Sequence, residues 1–361
     1  MKTKVMLLIS DLGMGGAENI TMNIAKYINK EEFEVKVVSM FSREYCVDKY
    51  KDIIDENRLQ VTFLNKKPGL DLSIVRELMR LFKTEKPDVI HTHRYSCIYA
   101  LIPSVICRLP VRMHTVHNIA RNELPQLYQK IMRFAYKHLH VTPVAINESV
   151  KKSIEENYGL SSKQIPLIKN GVDISKLYSN TNVGDKITLI NVGRFSPQKN
   201  HSLLIECFKD IVANYPDAEL ILVGDGELKA DVQIRVNAAE IAGKVIFVGN
   251  VSDVENYLAR ADIFVMSSDY EGLPLSVIEA MASGLPVVST KAGGVVDLVH
   301  DGENGILVDV GDKDNFVGAV LSLIKDRESL KKMGEVSRKI AEGYSVDKMV
   351  RDYENLYRKK L

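Results

Sequence analysis

The chain has no tryptophan, only four cysteines, and no apolar run long enough to cross a membrane. Spanning a bilayer takes about 18–20 consecutive apolar residues, so the sequence predicts no transmembrane helix. The N-terminus, MKTKVMLLIS, opens with charge as a secretion signal does. Its apolar run stops after five residues and no small-residue cleavage site follows, so Val5–Ser10 is read as a first strand. Cys46, Cys97, Cys107 and Cys207 are scattered with no C-x-x-C pair. That spacing excludes a zinc ribbon or a dithiol redox motif, and free thiols in a cytoplasmic protein are expected. The one Asp-x-Asp, Asp312-Lys313-Asp314, lies far from any strand end with ligand features; it is read as a helix cap, and neither a metal nor a cofactor is expected.

With 361 residues the chain exceeds one ordinary core, so two domains are expected. A hydrophobic content of 45% with 26% charge describes a globular protein rather than a disordered or fibrous one. The net charge of +1 hides an asymmetry: residues 1–170 hold 26 Lys and Arg against 18 Asp and Glu, and residues 171–361 hold 22 against 29. A basic half suits an anionic acceptor or the anionic inner face of the cell membrane, and also suits attraction to its own acidic half. No nucleic-acid partner is expected.

Strands and helices alternate along the chain, which predicts an α/β doubly wound sheet. Strand Val5–Ser10 leads into Asp11–Glu18, where Gly13, Gly15 and Gly16 allow a close backbone approach to a ligand. The G-x-G-G pattern lacks the spacing of a dinucleotide fingerprint, and a plain tight turn explains it as well. Segments Glu34–Met40, Leu59–Leu64 and Pro87–His91 read as further strands, and Asp71–Lys83 as a helix with its apolar face at Leu72, Val75, Leu78 and Met79. Two histidine pairs, His91/His93 and His114/His117, are placed just after β segments. A shared metal is disfavoured because Arg94 and Arg112 adjoin the pairs and no further ligand has the right spacing. Hydrogen bonding to a ligand is the preferred role, with His117 the leading candidate. Leu124–His140 reads as an amphipathic helix with Leu124, Leu127, Tyr128, Ile131, Met132, Ala135 and Leu139 toward the core. Lys130, Arg133 and Lys137 lie opposite, and Phe134 and Tyr136 fall off the core stripe; the helix is either core-packed with a solvated face or a membrane-surface element.

A polar segment, 172–185, reads as a linker, after which the alternation restarts with Ile187–Val192. Arg194 and Lys199 follow in one loop, where two fixed cations suit a diphosphate and a solvated basic loop is the bland reading. Leu220–Val223 ends in Gly224-Asp225-Gly226, and Val245–Val248 in Gly249-Asn250. The stretch the chain is organised around is Ser267–Gly284, SSDYEGLPLSVIEAMASG, between the apolar segments Ala261–Met266 and Leu285–Ser289. A short helix opening off a strand end presents unpaired N–H groups and a positive dipole end. Glu271 and Glu279 bracket that junction, so both carboxylates are expected to face one anionic, hydroxyl-rich ligand. A last basic helix, Val346–Lys360, is expected to reach back over the first domain.

These residues resemble the retaining glycosyltransferases of family 4, which carry two Rossmann-like doubly wound parallel-sheet domains facing a cleft, the GT-B fold. The resemblance spans the chain and rests on Gly15-Gly16, His117, the Gly193-Arg194…Lys199 loop, Val223-Gly224-Asp225-Gly226 and EGLPLSVIEAMASGLPVV, the last being highly specific. It implies an acceptor-side domain at 1–170, a donor-side domain at 171–345, and a C-terminal helix at 346–361 packing back on the first. It implies transfer of a hexosyl or N-acetylhexosaminyl unit from a nucleoside-diphosphate sugar, UDP-linked by preference, to a glycan or polyprenyl-linked saccharide. In that scheme Arg194 and Lys199 bind the diphosphate, with backbone N–H groups from Gly272, Leu273 and Leu275 and with Gly15 and Gly16 closing from the other domain. Glu279 takes the ribose hydroxyls, Glu271 the donor sugar and Val251 the base, and His117 lies near donor sugar and acceptor. Arg194, Lys199, Glu271 and His117 are the candidate catalytic residues. A nucleotide-sugar epimerase shares this architecture, but acidic and histidine groups arranged for elimination are not found; a non-catalytic nucleotide-sugar-binding partner protein is the other alternative.

Overall fold

The computed structural model describes residues 2–13, 15–177, 186–251 and 253–361. The linker segment expected at 172–185 therefore lies outside the described residues from 178 onward. The chain forms two compact units, residues 1–171 with 346–361, and residues 172–345.

In the N-terminal unit the elements run β1 (Thr3–Ile9), α1 (Gly16–Tyr27), β2 (Phe33–Ser39), α2 (Asp48–Glu56), β3 (Gln60–Phe63), α3 (Ser73–Glu85), β4 (Val89–His93), α4 (Ser96–Ile106), β5 (Val111–Val116), α5 (Ala120–Glu123), α6 (Gln126–His138), β6 (Val141–Ala145) and α7 (Glu148–Tyr158). The C-terminal unit runs β7 (Ile187–Val192), α8 (His201–Asn214), β8 (Ala218–Val223), α9 (Lys229–Ala238), β9 (Val245–Gly249), α10 (Val254–Leu258), β10 (Ile263–Met266), α11 (Leu275–Ala282), β11 (Val287–Thr290), β12 (Gly305–Val308), α12 (Lys313–Lys325) and α13 (Arg327–Ala341). The final helix, α14 (Val346–Lys360), belongs to the first unit.

Each unit holds one six-stranded parallel sheet, ordered β3-β2-β1-β4-β5-β6 and β12-β11-β10-β7-β8-β9. The architecture is α/β and doubly wound, as the alternation of elements predicts. In each sheet the order reverses beside the first strand of the unit, and open parallel sheets bind ligands beyond the carboxyl ends of strands at such a point. Strands buried on both faces read as continuous apolar runs, and Leu7, Leu8 and Ile9 of β1 or Ile263–Val265 of β10 are fully enclosed. Among the described residues no helix is long and apolar enough to cross a membrane.

Several elements differ from the sequence reading. In α3 the buried stripe is Ile74, Leu78 and Phe82, while Leu72 is 69% exposed. Leu72 precedes the first helical turn, so the i, i+4, i+8 row starts two residues later. The helix expected at Leu124–His140 runs as α6 from Gln126 to His138, after the separate short α5; Leu124 is extended, with φ −137° and ψ 152°, because Pro125 follows it. Within α6, Tyr136 is buried and Leu127 is 66% exposed, the reverse of the expected stripe. The sequence reading passed over α2, α4, α9 and β12; α4 is apolar nearly all round and holds Pro103, so it shows neither a clean helical period nor an uninterrupted helical sequence.

Helix α13 packs against the end of α11 by close backbone approach. A Cβ added at Gly334 would stand 2.2 Å from Gly284 O, whereas one added at Gly318 in α12 would meet nothing within 4 Å. Gly334→Ala is therefore expected to destabilise the C-terminal unit by about 3 kcal/mol through overpacking. Gly318→Ala is expected to be neutral or to stabilise by about 0.5–1 kcal/mol. Equal urea midpoints for the two variants would contradict this.

Candidate functional site

The C-terminal unit brings together loops that follow β7 and β10, neighbouring strands in its sheet. The β7 loop turns at Pro197–Lys199, and Asn200 then adopts the left-handed conformation at φ 46° while capping α8 through Leu203 N. Asparagine tolerates that conformation better than most side chains because its short amide bonds locally. The β10 loop is fastened to this turn at several points. Ser267 Oγ donates to Lys199 O at 3.2 Å and to Asn200 O at 2.9 Å, and Asp269 N donates to Gln198 O at 2.9 Å. Gln198 Nε2 donates to Tyr270 O at 2.8 Å, and Asn200 Nδ2 to Asp269 Oδ1 at 2.9 Å.

This clamp sets Lys199 Nζ 2.6 Å from Glu271 Oε1, with Gln198 Nε2 3.3 Å from the other carboxylate oxygen. The pair is 17% and 6% exposed. Removing one partner of such a buried pair leaves an uncompensated charge at a cost of about 3–5 kcal/mol. The third fastening comes from the end of β11 and the turn after it: Gly294 N donates to Glu271 O at 3.1 Å, and Thr290 Oγ1 to Ser268 O at 2.6 Å. Gly293 is obligatory there, since its φ is +55° and a Cβ would stand 2.2 Å from Glu271 O.

Gly272 and Leu273 are buried and Leu275 is half-buried as the chain enters α11, whose N-cap is Pro274. Glu279 lies one turn inside that helix and is half-buried. Arg194 does not join the Lys199–Glu271 pair: it is 69% exposed and pairs with Glu227 at 3.1 Å, a carboxylate the sequence reading did not single out. The backbone under Arg194 is tightly packed, for a Cβ at Gly224, where φ is +133°, would stand 2.1 Å from Gly193 O. Val251 follows β9 and is half-buried.

In the N-terminal unit Gly15 and Gly16 open α1 after β1. Glu18, on the first turn of that helix, is 1% exposed and binds Arg94 Nη1 at 2.5 Å. Burial raises its carboxyl and Arg94 opposes the rise. Neither Glu18 nor its contact with Arg94 carries a sequence signal, since 76 residues separate them. His91 and His93 lie inside β4 and His114 inside β5; all three are buried, and only His117 follows its strand as expected. The strands run two to three residues further than their apolar cores because the ladder β4–β5 pairs His93 with Thr115. His93 Nδ1 lies 2.9 Å from His117 Nε2. His91 bonds Tyr357 OH at 2.8 Å and Thr115 Oγ1 at 2.7 Å, and Thr115 Oγ1 lies 3.1 Å from Tyr353 OH, so α14 closes a buried polar chain. Burial takes His93 down to about 3 and His114 to about 4, and lowers His117 well below its ordinary value. Among the described residues no three His, Cys, Asp or Glu side chains gather as metal ligands.

The sequence reading also passed over Glu123, at the end of α5. Burial raises its carboxyl to about 7, opposed by the backbone N–H of His117, by Arg94 and by the N–H of Asn118. Unfolded, the group titrates near 4.5, so its contribution to stability is full below that value and is lost as pH rises through about 7. Glu123→Gln removes the loss. The unfolding free energy of the variant relative to the parent is therefore expected to grow by about 2–3 kcal/mol between about pH 5 and 8. A pH-independent difference in urea titrations would refute the assignment.

Two family models match the chain: Glycosyltransferase Family 4 over residues 14–176, and Glycosyl transferases group 1 over residues 175–340. Among curated proteins, the Escherichia coli UDP-Gal:alpha-D-GlcNAc-diphosphoundecaprenol alpha-1,3-galactosyltransferase is 27% identical over 367 residues, covering 95% of this chain and 94% of its own. The Bacillus anthracis N-acetyl-alpha-D-glucosaminyl L-malate synthase is 28% identical over 312 residues, covering 80% and 79%. Among solved structures, Anabaena HepE in complex with UDP and glucose superposes with a TM-score of 0.84 at 21% identity, over 99% of this chain and 100% of that one.

Proposed function

The chain belongs to the family 4 glycosyltransferases, with the GT-B fold, and from that premise we propose that it transfers a hexosyl or N-acetylhexosaminyl unit from a UDP-sugar, with retention and without a metal, to a lipid-linked saccharide in surface polysaccharide synthesis. The observation that carries the reading is the pair Lys199–Glu271, 2.6 Å apart at the carboxyl ends of β7 and β10 and beside the start of α11. A nucleotide-sugar carries two phosphates, which call for cations and a helix N-terminus, and vicinal hydroxyls, which call for carboxylates. Lys199 and Arg194 then hold the diphosphate and stabilise the negative charge that grows as it leaves, helped by backbone N–H groups from Gly272, Leu273 and Leu275. Glu271 takes hydroxyls of the donor sugar, Glu279 those of the ribose, and Val251 meets the base with its backbone. Within the N-terminal unit, Gly15, Gly16 and His117 are the proposed contacts with substrate.

The acceptor oxygen attacks the anomeric carbon on the face from which the phosphate departs. The new C–O bond forms as the C–O bond to phosphate breaks, and the acceptor proton passes to the leaving phosphate oxygen, so no separate general base is required. The choice of UDP is supported by the HepE complexes, which contain UDP. A polyprenyl-linked acceptor is supported by the E. coli relative, named for GlcNAc-diphosphoundecaprenol. Incubating the protein with UDP-sugars and lipid-linked saccharides should release UDP and yield an α-linked product. Glu279→Ala and Arg194→Ala should each lower turnover by about a hundredfold or more while circular dichroism is unchanged. A changed sugar without transfer would favour an epimerase, and donor binding without UDP release a non-catalytic role.

A second, dependent reading concerns the surface of α6. Leu127 and Phe134 are 66% and 56% exposed, and Lys130, Arg133 and Lys137 are exposed around them. Apolar side chains set among cations fit the interface of an anionic bilayer, where the lipid-linked acceptor resides. Replacing Lys130, Arg133 and Lys137 by Glu should weaken sedimentation with phosphatidylglycerol vesicles, and unaltered sedimentation would remove the idea.

A further inference from the structure

The bond between His93 Nδ1 and His117 Nε2, 2.9 Å long, needs one proton between two imidazoles, and its surroundings decide which ring carries it. His93 is fully buried in β4, and its Nε2 has no hydrogen-bond partner among the described residues. The neighbouring His91 does not supply one: its ring lies 4.3 Å from that of His93, and both its nitrogens are engaged by Tyr357 and Thr115. If His117 donated, His93 would accept at Nδ1 and carry its own proton on Nε2, an orphaned buried N–H. If His93 donates, the orphan is an unfilled lone pair. Native proteins tolerate the second far better than the first.

From this geometry we infer that His93 is a positioning residue that fixes His117 as its Nδ1–H tautomer, so that His117 meets the substrate as a hydrogen-bond donor and not as a base. A ring whose Nε2 lone pair is filled by His93 presents only N–H to a sugar hydroxyl or phosphate oxygen. His117 itself is half-buried, whereas His91, His93 and His114 are fully enclosed. Both rings stay uncharged at neutral pH: burial is the largest influence on each, and His114 disfavours the charged form of both, as Arg94 does that of His117. Glu123 accepts from the backbone N–H of His117 and not from its ring, so the ring's bond to His93 is what selects its tautomer. The donor role rests on the reading of His117 as substrate-facing; the tautomer does not.

The test is nitrogen-15 NMR of histidine-labelled protein, with His117 assigned by substitution. The expected spectrum shows His117 protonated at Nδ1 and bare at Nε2, unchanged between about pH 6 and 8. His93→Phe removes the donor, and His117 should shift toward the Nε2–H tautomer with kcat lowered about tenfold and KM little changed. His93→Asn, whose side-chain amide places an N–H where Nδ1 stood, should restore both the spectrum and most of the lost kcat. A wild-type His117 carrying its proton on Nε2, or titrating within that range, overturns the assignment. Full turnover by His117→Ala alongside the expected spectrum overturns the donor role while leaving the tautomer intact, so the two parts fail separately.

Discussion

The C-terminal unit is organised around a buried charge pair that would be costly without its surroundings. Lys199 and Glu271 belong to loops 72 residues apart, and burying two charges repays desolvation only when the geometry is excellent and the remaining polar atoms are bonded. Here the backbone of each loop is fastened to the other through Ser267, Asp269 and Gln198, and Glu271 O is met by Gly294 N. The glycines belong to the same requirement. Gly293 lets the β11 loop pass where a Cβ would stand 2.2 Å from Glu271 O, and Gly334 lets α13 hold the end of α11. A pair so held is preorganised, and on the proposed reading a donor exchanges the contact for phosphate on Lys199 and hydroxyl on Glu271 with little rearrangement of the loops.

Sequence pattern made the parallel α/β architecture and the strand–loop–helix around Glu271 legible, because both are local: apolar runs of strand length, glycines at strand ends, and a helix stop at Gly284. What it left unread is long-range or orientational. The partners Glu18 and Arg94, or His91 and Tyr357, are separated by 76 and 266 residues and have no shared periodicity. In α6 the helical period and most of the core face are legible, with Met132 and Ala135 buried as expected, but the edges of the stripe are not, since Tyr136 and Leu127 are both large and amphipathic surfaces tolerate either outward. The histidines of β4 and β5 were visible as residues, yet their inward direction follows from a strand that extends past its apolar core. Arg194 and Lys199 share one loop and one charge, but the structure gives them different partners, Glu227 at the surface and Glu271 in the interior.

The N-terminal unit solves the opposite problem. At its histidine cluster it buries polarity without charge: His91, His93 and His114 lie inside the sheet, and burial keeps them in their uncharged forms. Uncharged imidazoles each need a donor and an acceptor; at His91 one partner is Thr115 of β5 and the other comes from α14. Tyr353 and Tyr357 of α14 reach Thr115 and His91, while Glu354 accepts from Asn29 N at 2.8 Å and Arg358 pairs with Glu32 at 2.7 Å. Without α14 the Nδ1 of His91 would be left unsatisfied in the interior, so the final helix completes the first unit's polar core and is not an appendage on its surface. On the proposed reading, uncharged rings suit recognition of hydroxyls by direction, which is what the fixed geometry of a buried hydrogen-bond chain is suited to do.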